Sequence, residues 1–346
     1  MKAKKLWWQL PLLLFLIGGT MFIIRQQRSV PYQKNSGFIF GTVYSATYQC
    51  EEDLQAEIED ELQKVDNALS MFNNNSIISR INRGEQVVDP TPIGRMFLHV
   101  FHLAENISQE TNGAFDITVG PLVNAWGFGS KDGSTPTQNE IDSLRKLIGY
   151  QRVTHDVTHN VDRIIKSDPR VTLDCSAIAK GFGTDVVANM LRKHGIENFM
   201  IEVGGEVVTS GISPNRLPWR IGVTKPNDDP LAENNELQTV LNVTDRAMAT
   251  SGNYRNFYYK NGRKYAHTID PKTGCPVQHS LLSATVLAPN CATADAYATA
   301  FMVIGIEKAK AILDNHPELM AYFIYTNAKN EIEVWFSPEL RDKLAE

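Results

Sequence analysis

"NFYYKNGRKYAHTID", residues 256–270, decides the fold. Asn261 and Gly262 stand between two runs rich in tyrosine and basic residues. Asn-Gly suits a type I′ turn, because both central positions of that turn take positive φ. The stretch therefore reads as a hairpin, and a hairpin makes antiparallel sheet. Upstream, "FIFGTVYSATYQC" (38–50), "RVTLDCS" (170–176), "NFMIEVGGEVVTSG" (198–211), "WRIGVTKP" (219–226), "ELQTVLNV" (236–243) and "AMATSG" (247–252) read as strands. Downstream, "LLSATVLAP" (281–289), "AYFIYT" (321–326) and "IEVWFS" (332–337) do the same. Helices are predicted between them, over 51–70, 91–111, 138–148 and 179–195, with another beginning near Thr293. In the first, Leu54, Ile58, Leu62, Val65 and Leu69 recur at helical spacing. Hairpins interleaved with helices predict an α+β protein of largely antiparallel sheets with packed helices, not a doubly wound fold.

The chain has 346 residues and a formal net charge of -5. Its length permits one large domain or two smaller ones, and a core that needs no disulfide staples. The acidic balance leaves no electrostatic footprint for nucleic acid. Cys50, Cys175, Cys275 and Cys291 lack CxxC spacing and do not form a zinc motif; they are expected free and mostly buried.

Leu6 to Ile24 is a run of 19 mostly apolar residues. As a helix it would be about 28 Å long, close to the ~30 Å hydrocarbon core of a bilayer. Lys2, Lys4 and Lys5 precede it, which favours an N-terminus in the cytoplasm. Residues 1–30 are thus expected to be an uncleaved transmembrane anchor and polar tether, and 31–346 a catalytic domain outside the inner membrane.

One acid interrupts an otherwise apolar or small stretch, "CATADAYATAFMVIG" (291–305). Asp295 admits two readings. With Thr293 as N-cap it would lie in the first helical turn and complement the macrodipole. Alternatively, Asp295 and Thr299, at i and i+4, present hard oxygen ligands on one helix face, suited to Mg²⁺ shared with a phosphorylated ligand. Three further stretches bear on the choice. In "LDCSAIAKGFGTD" (173–185), small residues allow close backbone approach, and Lys180 is either a phosphate ligand or a solvated turn residue. "GAFDITVGPLVNAWGFG" (113–129) sets turn glycines beside Phe115, Trp126 and Phe128, which would hold a flat ring or pack a core. "YAHTIDPKTGCPV" (265–277) places His267 three residues before Asp270, which either orients the imidazole or fixes the turn.

Together, in this order, these stretches with "IEVGGEVVTSG" and "ATSGNYRNFY" resemble the ApbE family of flavin transferases, over roughly residues 38–335. The resemblance implies that FAD is bound with Mg²⁺ and that its FMN half passes to a Thr or Ser hydroxyl of an acceptor protein, releasing AMP. It implies Asp295, Thr299 and the carbonyl of Ala177 as magnesium ligands. It implies flavin-nucleotide contacts at Phe40, Phe72, Ala114, Phe115, Asp116, Asp174, Lys180 and Ile269. Phe40 stands where the family commonly has Met, and Phe72 where Tyr is common. The acceptors it implies are flavoprotein subunits of membrane respiratory complexes. His267 is the candidate base for the acceptor hydroxyl, since the unperturbed imidazole pKa lies near working pH. Water in place of the acceptor would give an FAD pyrophosphatase, and no turnover at all a flavin-binding protein.

Overall fold

The structure is a computed structural model, and it describes residues 30–129, 135–226, 236–253, 257–260 and 263–345, with scattered positions between 11 and 20. Most of the expected anchor lies outside the described residues, and among those described no helix is long and apolar enough to cross a membrane.

Sixteen strands are described. They are β1 (Tyr32–Ile39), β2 (Thr42–Gln49), β3 (Val153–Thr158), β4 (Val161–Lys166), β5 (Phe199–Val203), β6 (Glu206–Ser210), β7 (Trp219–Thr224) and β8 (Leu237–Val243), then β9 (Arg246–Gly252), β10 (Phe257–Lys260), β11 (Arg263–Ala266), β12 (Ile269–Asp270), β13 (Cys275–Pro276), β14 (Leu281–Ala288), β15 (Met320–Thr326) and β16 (Ile332–Phe336). The helices are α1 (Gln55–Leu69), α2 (Ile77–Asn82), α3 (Pro92–Glu110), α4 (Gly120–Ala125), α5 (Gln138–Arg145), α6 (Ala179–Lys193), α7 (Cys291–Ile304) and α8 (Ile306–Leu313). The expected α+β architecture with antiparallel sheets is what forms. One eight-stranded sheet runs β1-β2-β5-β6-β9-β14-β15-β16, so its strands follow chain order across the sheet. Every neighbouring pair in it is antiparallel.

The sheet is covered on both faces. Helices α6 and α7 pack on one face, with α3 against α7, and share a core with Val286, Ala249 and Phe323. The β7–β8 ribbon covers the other, where Trp219, Ile221 and Leu241 meet Leu287, Met248 and Tyr322. Adjacent Val286 and Leu287 thus both reach buried clusters. This is why "LLSATVLAP" reads as a continuous apolar run and not as an alternation.

Four sequence expectations need correction. Residues 38–50 are not one strand: β1 and β2 form a hairpin, turned at Phe40 (φ 51°) and Gly41 (φ 73°). Phenylalanine is a poor turn signal, but its ring here lies over Gly183, where a Cβ would come within 2.7 Å of it. Residues 198–211 are two strands joined by Gly204 and Gly205. "RVTLDCS" is in no strand, because one side chain replaces the ladder. The Asn82 amide donates to Leu173 O (2.8 Å), and its oxygen accepts the Leu173 N–H (2.7 Å). Finally, α7 starts at Cys291 and is capped by Asn290, whose side chain accepts the Thr293 N–H. The β10–β11 hairpin pairs as expected, with Lys260 opposite Arg263, while Asn261 and Gly262 lie outside the described residues.

Candidate active site

The helix start decides between the two readings of Asp295. With Asn290 as cap, Asp295 is the fifth helical residue, and no acid stands in the first turn of α7. The macrodipole reading therefore fails. Asp295 is buried within the second turn and faces the start of α6.

Two features set α6 against α7. Asp185, on α6, accepts the N–H groups of Cys291 (2.8 Å) and Ala292 (2.8 Å). Gly181 lets the backbones meet, since a Cβ there would stand 2.4 Å from the Cys291 carbonyl oxygen. Close approach of this kind is a use of glycine that no other residue supports. The result is that Lys180 reaches Asp295.

Among the described residues, three oxygens near this junction lack donors. The Gly181 N–H, one turn beyond Ala177, donates to Asp295 Oδ2 (3.1 Å) and not back to the Ala177 carbonyl. Asp295 Oδ1 receives no hydrogen bond from the described residues. A helical threonine ordinarily can bond the carbonyl four residues back. Thr299 makes no such bond among the described residues, although its neighbours on α7 are buried. A carbonyl, a carboxylate and a hydroxyl with free lone pairs form the hard-oxygen set that suits Mg²⁺. The residues present therefore fit the implied ion. Among the described residues no group of three or more His, Cys, Asp or Glu side chains could hold a metal, and none of the four cysteines is in a disulfide. Cys175 and Cys291 are buried, whereas Cys50 and Cys275 are only half-buried.

Lys180 is not a solvated turn residue. Its ammonium lies 3.3 Å from Glu206 Oε1 and 3.7 Å from Asp295 Oδ2, with the side chain 28% exposed. Burial works against its charge, but Asp295 and then Glu206 outweigh burial and hold it above the usual lysine range. Burial pushes Glu206 above the usual carboxylate range, and Lys180 pulls it part of the way back. The Gly204–Gly205 turn delivers Glu206 to this place at the start of β6.

These groups form one wall of a cavity of about 1110 Å³. Ten of the twelve residues singled out from the sequence line it: Ala114, Phe115, Asp116, Asp174, Ala177, Lys180, His267, Ile269, Asp295 and Thr299. Phe40 and Phe72 are not brought to it. Phe40 packs on the helices, and Phe72 is 83% exposed. Asp116 shapes the wall: its carboxylate accepts Thr118 N (2.8 Å), Thr118 Oγ1 (2.7 Å) and Tyr150 N (2.8 Å). Burial raises its pKa while those bonds lower it, with a net rise. Trp126 takes the core reading; it donates to Gly274 O (2.7 Å) among Leu122, Ile141 and Ile148. Asp270 fixes the turn, where its Oδ1 accepts the Lys272 N–H (2.9 Å). Sequence reasoning missed Glu206 and Asp185. The signal for Glu206 was present: an acid opening a strand of otherwise apolar and small residues.

A cavity of this size, lined by the Lys180 ammonium, by hard oxygens that take no donor among the described residues and by Phe115, Ile117 and Ile269, suits a phosphorylated molecule with a large apolar part. The comparisons narrow that class. The ApbE family profile matches residues 40–323. The FAD:protein FMN transferase of Escherichia coli (strain K12) is 34% identical over 294 residues, covering 84% of this chain and 82% of that protein. That of Vibrio cholerae serotype O1 is 37% identical over 287 residues, covering 81% and 83%. Among solved structures, the flavin transferase ApbE from Vibrio cholerae superposes with a TM-score of 0.79 at 34% identity, over 91% of this chain and all (100%) of the other. The apo flavinyl transferase ApbE of Pseudomonas stutzeri gives 0.78 at 28% identity, covering 91% and 98%. The chain belongs to the ApbE family.

Proposed function

We propose that this chain is an FAD:protein FMN transferase: it moves the FMN half of FAD to a Thr or Ser hydroxyl of an acceptor protein and releases AMP. The observation that carries the reading is the cavity lining where Ala177 O, Asp295 Oδ1 and Thr299 Oγ1, none with a donor among the described residues, accompany Lys180. Relatives bearing that activity in their names, similar over four-fifths of their length, support it.

Ala177, Asp295 and Thr299 would hold Mg²⁺. Bound there, the ion would neutralise pyrophosphate oxygens and stabilise the charge on departing AMP. The residues of the chain itself do the rest. Lys180 supplies a fixed positive charge for the pyrophosphate. Phe115 and Ile269 give the flavin half an apolar surface, and Ala114, Asp116 and Asp174 shape the wall around it. His267, on the cavity lining, takes the proton of the acceptor hydroxyl as its oxygen bonds to the FMN phosphorus and the bond to AMP breaks. Holding the hydroxyl in line supplies much of the acceleration.

The expected acceptors are flavoprotein subunits of membrane respiratory complexes. Residues 1–30 would tether domain 31–346 to the inner membrane on its outer side; the apolar run and the lysines before it support this placement. Co-expression with a candidate acceptor domain, followed by intact-mass measurement, tests the function. A gain equal to FMN less one water (the mass of FAD less that of AMP), with one AMP released per label, is expected. Free FMN and AMP without acceptor labelling would make the chain an FAD pyrophosphatase, and flavin bound without AMP release a carrier.

A further inference from the structure

The side chain of Glu206 is 4% exposed. Oε1 faces the Lys180 ammonium, but Oε2 is buried with no hydrogen-bond partner among the described residues. A buried acid with one oxygen unserved is costly, and stability alone is better served by an apolar side chain of similar volume. Its presence calls for another explanation.

The charges supply one. Lys180 has two acidic partners, Glu206 on β6 and Asp295 on α7. Under the function proposed above, Asp295 is committed to a divalent cation. A carboxylate so engaged has little attraction left for an ammonium, and the cation repels that ammonium directly. With Asp295 as sole partner, Lys180 would leave the wall when the cation arrives. Glu206 belongs to a different element and is not among the ion's fitted ligands. The same hairpin also grips the lysine stem. A Cβ at Gly204 would stand 3.2 Å from Lys180 Cδ. Thr184 Oγ1 bonds the Lys180 carbonyl (2.9 Å) and reaches the Glu206 carbonyl (3.5 Å), which ties helix to strand.

We propose that Glu206 is a positioning residue: it keeps the Lys180 ammonium on the cavity wall while Asp295 serves a cation, and so keeps it aimed at the pyrophosphate. This rests on the reading of Asp295 as a cation ligand. Glu206 also brings the trio of Lys180, Glu206 and Asp295 to a formal charge of -1, which favours the arriving cation.

A double-mutant cycle on the full chain tests it. AMP release from FAD is measured for wild type, Glu206→Gln, Lys180→Ala and the double variant, with Mn²⁺ binding followed by electron paramagnetic resonance without nucleotide. Glu206→Gln is expected to lower kcat about tenfold or more when Lys180 is present and less than about twofold when it is absent. It should also weaken Mn²⁺ binding several-fold, whereas Lys180→Ala strengthens it. Should Glu206→Gln fail to fold, Glu206→Asp keeps the charge and withdraws it by one methylene. It is expected to lose kcat several-fold, again only with Lys180 present, and to bind Mn²⁺ like wild type. Equal losses in both backgrounds, or wild-type turnover by the Gln or Asp variant, overturn the inference. If Asp295→Asn binds Mn²⁺ like wild type, it is the underlying cation site that fails.

Discussion

Asp185 and Cys291 tie two helices into one site: the Asp185 carboxylate on α6 accepts the N–H of Cys291 at the start of α7, and the adjacent oxygen takes that of Ala292, each at 2.8 Å. The acid does for α7 what a cap residue does from within a chain, but from across the interface. Asp185→Ala leaves two buried N–H groups without an acceptor. The expected loss is about 2–4 kcal/mol in urea unfolding. Asp185→Asn keeps one acceptor and is expected to lose about half of that. Because α7 carries Asp295 and Thr299, both variants should also weaken Mn²⁺ binding; tight binding by Asp185→Ala would show that the α7 start holds its place unaided.

The same residue sets a pH dependence. Burial pushes the Asp185 carboxyl from 3.8 up to about 6, although the two N–H groups favour its ionised form. Folding therefore takes up a proton between those values. The associated stabilisation is complete below 3.8 and is lost as the pH rises through about 6. Comparing wild type with Asp185→Asn cancels the other titrating groups. The stability of wild type relative to the variant should fall from pH 4 to pH 7 and level off above. A flat difference would mean that the Asp185 carboxyl titrates alike in the folded and unfolded chain.

Gly181 offers a steric test. A Cβ there meets the Cys291 carbonyl oxygen at 2.4 Å and Ala292 N at 2.9 Å, both backbone atoms. Neither can swing aside as a side-chain end would, so Gly181→Ala must part α6 from α7. The expected cost is about 1–3 kcal/mol, despite the higher helix propensity of alanine. FAD binding, read by flavin fluorescence, should weaken about tenfold or more as Lys180 leaves Asp295. Gly195, with nothing within 4 Å of its added Cβ but a φ of +72°, separates backbone strain from this collision. Gly195→Ala should lose stability yet bind FAD normally.

The cavity was legible in the sequence to the extent that its residues sit in ordered, unusual strings. Lys180 among small residues, an acid in an apolar helix and a histidine entering a Pro-Lys-Thr-Gly turn all proved to line one space. What escaped depended on partners far along the chain. The reading of "RVTLDCS" as a strand failed because a single amide, from Asn82, takes the place of a neighbouring strand. Phe40 gave no turn signal, since what supports its positive φ is packing over Gly183. Glu206 showed only as an acid opening a strand of apolar and small residues; its pairing with Lys180 comes from the hairpin. Phe72, singled out by resemblance, lies exposed and off the cavity. Local chemistry shows in local spacing; a charge balance assembled from α6, β6 and α7 does not.

Asp295 and Thr299 give the most direct test of the site. Asp295→Asn retains an oxygen that can accept the Gly181 N–H, and Glu206 remains as a counter-ion for Lys180. The metal-free fold should therefore change by no more than about 1 kcal/mol. What the variant removes is the only carboxylate of the proposed ion site. FMN transfer is expected to fall by about two orders of magnitude or more, the scale seen when one preorganised charge partner is lost from a reaction centre. Thr299→Val removes a hydroxyl that makes no hydrogen bond among the described residues, and it keeps the side-chain shape. Stability should stay level or rise slightly, and transfer should fall about tenfold, since a hydroxyl is the weaker ligand. Raising Mg²⁺ should largely restore Thr299→Val by mass action and restore Asp295→Asn much less. Transfer to an acceptor domain, measured by mass across a Mg²⁺ series, reads all of this at once. Near-normal transfer by Asp295→Asn at low Mg²⁺ would remove the ion from α7 and return that acid to a structural role.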